Sequence, residues 1–126
     1  MFKSTLLFTF FFLFPSFSSI SADSQINQFS SMVEKINLEP WDSYQKLLEL
    51  EPTITSTSNE EQLWFLLRKS QAENLLLFYE DFTSTVQRAL LLITPSTPKE
   101  IIIHFKFYQG VNAQRESKYK KAIVLF

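Results

Sequence analysis

The sequence predicts an all-α fold made of antiparallel helical hairpins, and three observations indicate it. After Ala22, apolar residues recur at intervals of three and four along nearly the whole chain, which is the spacing of one helix face. Prolines at positions 40, 52 and 95 divide this pattern into segments of helix length. No segment has the alternation of a strand, since the β-branched residues 101–103 lie within a longer helical pattern.

The segment from Met1 to Ala22 is predicted to be a secretory signal peptide. It holds seven of the fourteen phenylalanines, a single cation at Lys3 and no acid. The apolar run 6–14 is too short to cross a bilayer, and small residues precede an expected cleavage site after Ala22. The alternative is an uncleaved anchor in which the apolar run extends to Ile20. Both alternatives place residues 23–126 outside the cytoplasm.

Residues 23–126 are predicted to form one helical domain of about three helix pairs, of which the last is incomplete. Helices are expected at 24–36, 40–51, 59–77, 80–93 and 98–115, and again after a turn at 116–117. Pro40 at a first helical position favours a helix start there, and Asn59 followed by two acids favours the next start. Trp41 and Trp64 lie in apolar stripes, so both are expected in the core rather than as ligand platforms.

The carboxyl-terminal segment has a spacing of small and aromatic residues that is typical of a helical hairpin. Gly110 is expected to let the second helix approach the first closely, and Tyr119 is expected to pack back on the first helix. The full set is Gly110, Ser117, Tyr119, Ala122 and Phe126. When segment 72–89 is aligned with segment 109–126, Phe82 coincides with Tyr119, so Phe82 is predicted to be buried at the equivalent position.

This spacing resembles the tetratricopeptide repeat (TPR), a helix–turn–helix unit of about 34 residues. A fainter copy lies earlier in the chain, with Tyr44 at the aromatic position and Leu47 at the small one. The chain departs from the family at Gln109, where leucine is usual, and at Ala113, where an aromatic residue is usual. The resemblance implies a short TPR-like α-solenoid of stacked hairpins.

A closer similarity covers nearly all of the chain after the predicted signal peptide. The segments EPWDSYQKLLELEP, QLWFLLRKSQAENLLLFYEDF and FYQGVNAQRESKYKKAI are similar to the periplasmic sensor region of certain bacterial membrane-bound diguanylate cyclases. In those proteins a transmembrane helix and a catalytic domain with a GG(D/E)EF motif follow the sensor. The 126 residues of this sequence contain neither feature.

The resemblance implies a groove, lined by the first helix of each pair, that binds a protein or peptide. Carried over by position, the candidate groove residues are Ser70, Asn74, His104, Phe107, Gln114 and Arg115, with Leu67, Phe78 and Val111 beside them. Asn74, Gln114 and Arg115 are expected to hold a peptide backbone or a carboxylate. The alternative is that all of them are ordinary solvated positions.

Composition excludes several kinds of chemistry. The absence of cysteine excludes disulfides and thiolate metal sites, and a single glycine excludes a glycine-rich phosphate loop. His104 is the only histidine and is expected to be structural or to line the groove rather than to bind a metal or act as a base. The basic cluster at 115–121 is interpreted as a solvated helix face rather than a nucleic-acid site, because the net charge is −1.

The leading hypothesis is therefore an exported, non-catalytic helical-repeat module in the bacterial periplasm, without cofactor or metal. It would bind a protein or peptide as the sensor part of a signalling protein, and not nucleic acid. Contact with a membrane is expected only through an uncleaved signal or a downstream transmembrane helix, and the incomplete last pair favours self-association. The alternatives are an amino-terminal fragment of a diguanylate cyclase, which makes cyclic-di-GMP from GTP, and a structural periplasmic adaptor or remnant.

Overall fold

The structure is a computed structural model that describes residues 26–125, with side chains as far as residue 120. The predicted signal peptide and Phe126 lie outside the described residues. Over that range the prediction of an all-α fold is confirmed, because six helices and no strand are present. The helices are α1, which includes residues 26–30, α2 (Val33–Leu38), α3 (Pro40–Ile54), α4 (Asn59–Leu75), α5 (Tyr79–Leu92) and α6 (Lys99–Leu125). Among the described residues, no helix has an apolar stretch long enough to cross a membrane.

Helix α4 lies at the centre of the fold. It packs on its chain neighbours α3 and α5 and also on α2 and α6. Six consecutive residues, 63–68, are buried, which is expected for a helix that has neighbours on several sides. The start of α4 is fixed by Ser58, whose side chain accepts a hydrogen bond from the Glu61 backbone N–H.

Aromatic rings connect these helices in the core. Phe29 of α1 lies edge-on to Phe65 of α4 with ring centroids 5.7 Å apart. Phe82 of α5 is fully buried, as predicted, and lies 5.1 Å from the ring of Tyr108 on α6. Trp64 is also in the core, which confirms that prediction.

The predicted helix 24–36 is wrong in its continuity, because α1 and α2 are separated at residues 31–32. The buried Arg68 side chain of α4 explains the break. Its Nε donates to the Phe29 carbonyl at 2.7 Å and its Nη2 donates to the Ser30 carbonyl at 3.3 Å. These carbonyls end α1, and a charged donor stabilises such a helix end.

The predicted end of the second helix before Pro52 is also wrong. Helix α3 includes Pro52 and continues to Ile54. Ile54 is 1% exposed, so the last turn of α3 is held by burial in the core. Trp41, at the other end of α3, is 52% exposed, and its predicted place in the core is wrong.

The predicted carboxyl-terminal hairpin is wrong, because α6 is one continuous helix of 27 residues. At the expected turn, Glu116 pairs with Lys120 one helical turn later at 3.2 Å, which supports a helix through this region. Among the described residues, no atom of another helix lies within 4 Å of a Cβ built on Gly110, so none of the described helices approaches there. Tyr119 is 65% exposed rather than buried.

Candidate protein-binding site

A groove lies where α6 passes the start of α5. It has a volume of about 270 Å³ and is lined by Tyr79 of α5 and by Arg115, Lys118 and Tyr119 of α6. The Tyr79 and Tyr119 side chains are 37% and 65% exposed. The groove therefore combines two aromatic rings with two cationic side chains, and we call it the Arg115 groove.

Arg115 is held in place by contacts to two neighbouring helices. Its guanidinium carbon lies 4.0 Å from the centroid of the Tyr79 ring and 5.3 Å from that of Phe82, both on α5. Its Nη2 donates a hydrogen bond to Oδ1 of Asn74, in the last turn of α4. Stacking on aromatic rings stabilises a guanidinium and restricts its orientation.

One donor atom of the Arg115 guanidinium is buried without a partner. This atom is Nη1, which has no hydrogen-bond partner among the described residues. A buried donor without a partner costs free energy. Because Nη1 is closed to solvent, a ligand in the groove would contact the remaining part of the half-buried side chain, whose donors suit a carboxylate or a carbonyl oxygen.

A hydrogen bond between side chains fixes α6 beside α5 one turn before Arg115. Thr83 Oγ1 donates to Oδ1 of Asn112 at 3.2 Å. Since Asn112 and Arg115 are three residues apart, they lie on the same face of α6. This contact positions the groove without using the groove residues themselves.

The connection between α4 and α5 presents a strained, exposed leucine next to the groove. Leu77 has φ 64°, a left-handed conformation that glycine usually adopts after a helix. The Phe78 backbone N–H closes the turn by donating to the Glu73 carbonyl at 2.9 Å. The Leu77 side chain is nevertheless 64% exposed. The conformation of Leu77 belongs to the ending of α4, since its own backbone N–H also donates to the Asn74 carbonyl at 3.3 Å.

Trp41 lies at the same end of the molecule. Its ring centroid is 6.3 Å from that of Phe78, the residue between Leu77 and Tyr79. The exposed apolar side chains of Trp41, Leu77 and Tyr79 therefore surround the α4–α5 connection. The Arg115 groove thus adjoins an apolar surface, and together they fit a ligand that has both apolar and acidic groups.

The structure brings together two of the six predicted groove residues, Asn74 and Arg115. The prediction for Ser70 is wrong, because Ser70 is fully buried and its Oγ donates to the carbonyls of Leu66 and Leu67 at 2.8 and 2.9 Å. A hydroxyl that bonds back to its own helix in the core cannot contact a ligand.

The other three predicted groove residues, His104, Phe107 and Gln114, are exposed on α6 and do not line the Arg115 groove. Phe107 and Gln114 lie away from the core because α6 directs Ile101 and Phe105 into it. His104 lies about three helical turns before Arg115 on the same side of α6. His104 Nδ1 lies 2.8 Å from the Glu100 carbonyl of its own helix. The structure therefore does not bring all six predicted residues into one groove.

Sequence reasoning missed Leu77, Tyr79, Lys118 and Tyr119 as site residues. The basic residues at 115–121 could have indicated Lys118 as a site residue. The net charge of −1 instead favours the interpretation that they form a solvated helix face. The predicted hairpin also places Tyr119 in the core. Leu77 could not be found from the pattern, because leucine is not expected at a left-handed position.

A buried carboxylate lies beneath this end of the molecule. Glu73 of α4 is 1% exposed and accepts a hydrogen bond from the Tyr44 hydroxyl at 3.2 Å. Burial raises the pKa of Glu73, while the neighbouring Thr85 hydroxyl, the charge of Lys69 and the hydrogen bond from Tyr44 oppose this rise. Burial and the Glu73 carboxylate also raise the pKa of Tyr44. The pair has no access to a substrate, and it joins α3 to α4.

No group of three or more His, Asp or Glu side chains that could hold a metal ion occurs in the described part of the chain. No protein-family model matches the chain. No curated protein and no solved structure is significantly similar to it.

Proposed function

We propose that this chain is a non-catalytic helical-repeat module that binds an acidic segment of a protein or peptide in the Arg115 groove. The observation that carries the proposal is the half-buried Arg115 guanidinium, which is stacked on Tyr79, held by Asn74 and placed in the lining of the groove. A carboxylate of the ligand would accept from Arg115, and Lys118 would add a second positive charge.

The packing of the helices supports a TPR-like arrangement. Each of α3, α4, α5 and α6 packs on the helix before it in sequence, and α4 packs also on α2 and α6, two helices away in each direction. Stacked helical hairpins have neighbours of both kinds. Hydrogen bonds between side chains accompany the contacts of α4 with α2 and with α6. Gln71 of α4 donates to Asn37 of α2, and Arg115 of α6 donates to Asn74 of α4. In this arrangement α2, α4 and α6 are the first helices of successive pairs.

The proposed ligand is tested with two libraries of fluorescent octapeptides. Each peptide of the first library has a fixed aspartate beside a fixed leucine or phenylalanine, and the second library has lysine in place of the aspartate. We expect binding, measured by fluorescence anisotropy, only to the acidic library. Arg115→Gln should weaken it by about 10- to 100-fold, because a hydrogen bond to a charged group contributes about 1.5–3 kcal/mol.

The controls separate loss of the site from loss of the fold. Gln109→Ala, at an exposed position about half a turn around α6 from Lys118, should bind as the unchanged protein does. Leu77→Gly removes an exposed apolar side chain while relieving the left-handed strain, so it should weaken binding without lowering the melting temperature. Equal binding to both libraries, or full affinity in Arg115→Gln, would show that the groove is not the binding site.

Export and a role in signalling belong to the same proposal. They are supported by the phenylalanine-rich segment from Met1 to Ala22 and by the similarity to sensor regions of diguanylate cyclases. We expect amino-terminal sequencing of the protein from an extracytoplasmic fraction to begin at Asp23 or within a residue or two of it. Soluble cytoplasmic protein with an intact Met1 would contradict export. A transmembrane helix and a GG(D/E)EF domain downstream in the reading frame would identify the module as the input region of a cyclase.

A further inference from the structure

The Arg115 groove is lined by aromatic rings as well as by cations. Tyr79 and Tyr119 lie on α5 and α6, the two helices that form the groove. Arg115, Lys118 and Tyr119 share one face of α6, because Arg115 precedes the other two by three and four residues. A ligand that filled the groove would therefore contact both rings and both cations.

The size of the groove suits a single aromatic ring. Its volume is about 270 Å³. A cavity of about 150 Å³ is large enough to hold benzene, whereas pockets for drug-sized ligands have volumes of about 300–1,000 Å³. The groove therefore has room for one aromatic side chain with an acidic group beside it.

The cations of the groove are not neutralised by acids of the same chain. Arg115 donates to the neutral amide of Asn74, and neither Arg115 nor Lys118 belongs to an ion pair within the described residues. The acids nearest to the groove in sequence, at 80–81 and 116, do not line it. An acidic group of a ligand would therefore face positive charge that the chain does not itself balance.

We propose that the Arg115 groove selects an aromatic residue of the ligand, a phenylalanine, tyrosine or tryptophan, that adjoins the acidic one. This inference rests on the proposed function, because it concerns the ligand of the same groove. The ring would pack against Tyr79 and Tyr119, while the acid beside it accepts from Arg115 or Lys118. Pairs of aromatic rings are favourable beyond the apolar area that they bury, so a ring should bind better than an aliphatic side chain of similar size.

Three libraries of fluorescent octapeptides test the inference with the unchanged protein. Each has a fixed aspartate beside a fixed apolar residue, which is phenylalanine in the first library, cyclohexylalanine in the second and leucine in the third. Cyclohexylalanine has nearly the size of phenylalanine and is more apolar, but its ring is not aromatic. We expect fluorescence anisotropy to show that the phenylalanine library binds about 2- to 10-fold more tightly than either aliphatic library.

The outcomes distinguish this inference from the proposed function. Equal affinity for the three libraries, or tighter binding of the cyclohexylalanine library, would overturn the selection of an aromatic ring and leave the binding of acidic peptides intact. Equal binding of aspartate and lysine peptides would instead contradict the proposed function, and the inference with it.

Two variants of Tyr119 test the ring on α6. Tyr119→Leu removes the ring and retains an apolar side chain, so the ratio of the affinities for the phenylalanine and cyclohexylalanine libraries should fall about 2-fold. Tyr119→Phe retains the ring and should retain the ratio. Phe107→Leu is the matched control, because Phe107 is also 65% exposed on α6 but does not line the groove, and it should leave the ratio unchanged.

Both Tyr119 and Phe107 are exposed, so circular dichroism and the melting temperature of the variants should match those of the unchanged protein. The ratio compares two ligands on the same protein sample, so partial loss of folded protein does not alter it. An unchanged ratio in folded Tyr119→Leu, or an equal fall in Phe107→Leu, would overturn the proposal. If Tyr119→Leu does not fold, the three libraries still test the proposal on the unchanged protein.

Discussion

Replacement of Phe82 with alanine will lower the free energy of unfolding by about 3–5 kcal/mol. The Phe82 ring is fully buried, lies 5.1 Å from the Tyr108 ring and supports the Arg115 guanidinium at 5.3 Å. Alanine would leave a cavity between α5 and α6, and this loss is a large part of the stability of a domain of this size. Urea denaturation monitored by circular dichroism measures the change.

Tyr119→Ala is the matched control for Phe82→Ala. The repeat alignment predicts that the two aromatic residues are buried equivalents, but Tyr119 is 65% exposed on a continuous helix. We therefore expect Tyr119→Ala to change the stability by less than about 0.5 kcal/mol. A loss comparable to that of Phe82→Ala would mean that Tyr119 is packed in solution and would restore the equivalence of the two positions.

Replacement of Glu73 with glutamine will change how stability depends on pH. Burial raises the pKa of Glu73 above the ordinary value of 4.5, so the folded protein holds the proton more tightly than the unfolded chain does. That stabilisation is complete below pH 4.5 and is lost as pH rises through the raised pKa. Glutamine cannot ionise, and its amide oxygen can still accept a hydrogen bond from the Tyr44 hydroxyl. The variant therefore does not lose stability at this position as pH rises.

The variant should therefore gain stability relative to the unchanged protein as pH rises, by about 1.4 kcal/mol for each unit by which the folded pKa is raised. Urea denaturation at a series of pH values, from below 4.5 to neutral, measures the difference. If the free energy of unfolding of the two proteins depends on pH in the same way, burial does not raise the pKa of Glu73.

Glu51→Gln provides a control of opposite sign. Burial alone would raise the pKa of Glu51, but Lys69 and Arg88, at 2.8 and 3.1 Å, lower it. The stability from this group is present above pH 4.5 and is lost as pH falls through the lowered pKa. Glu51→Gln should therefore be less stable than the unchanged protein at neutral pH, with the difference vanishing in acid.

The sequence predicts α3, α4 and α5 well for physical reasons. Pro40 begins α3, the acids after Asn59 mark the first turn of α4, and the stripe that contains Phe82 is buried as expected. These features act within a few residues of one another, so a single sequence contains them. The break between α1 and α2 depends instead on Arg68, which is far from Phe29 along the chain. A contact between residues so far apart in the chain leaves no local sequence pattern from which it could be predicted.

The errors in α6 have a different origin. One glycine and a Glu-Ser pair favour a hairpin turn, although both residue types are tolerated within a helix at modest cost. The predicted site is assigned by repeat position, which does not specify burial. Asn74 and Arg115 are both predicted and do meet, but Ser70 is buried in α4, and the exposed Phe107 and Gln114 do not line the groove.

A tilt of helix α6 at the groove would displace its carboxyl-terminal end by a larger distance. Its polar contacts to the helices beneath it, made by Asn112 and Arg115, lie near its middle, and a further arm extends from Arg115 to Leu125. At about 1.5 Å for each residue, this arm is about 15 Å long. A ligand that wedged between Tyr79 and Arg115 and tilted α6 by about 10° would displace the far end by roughly 3 Å. A small movement at the groove would thus be enlarged at the distal end of the helix.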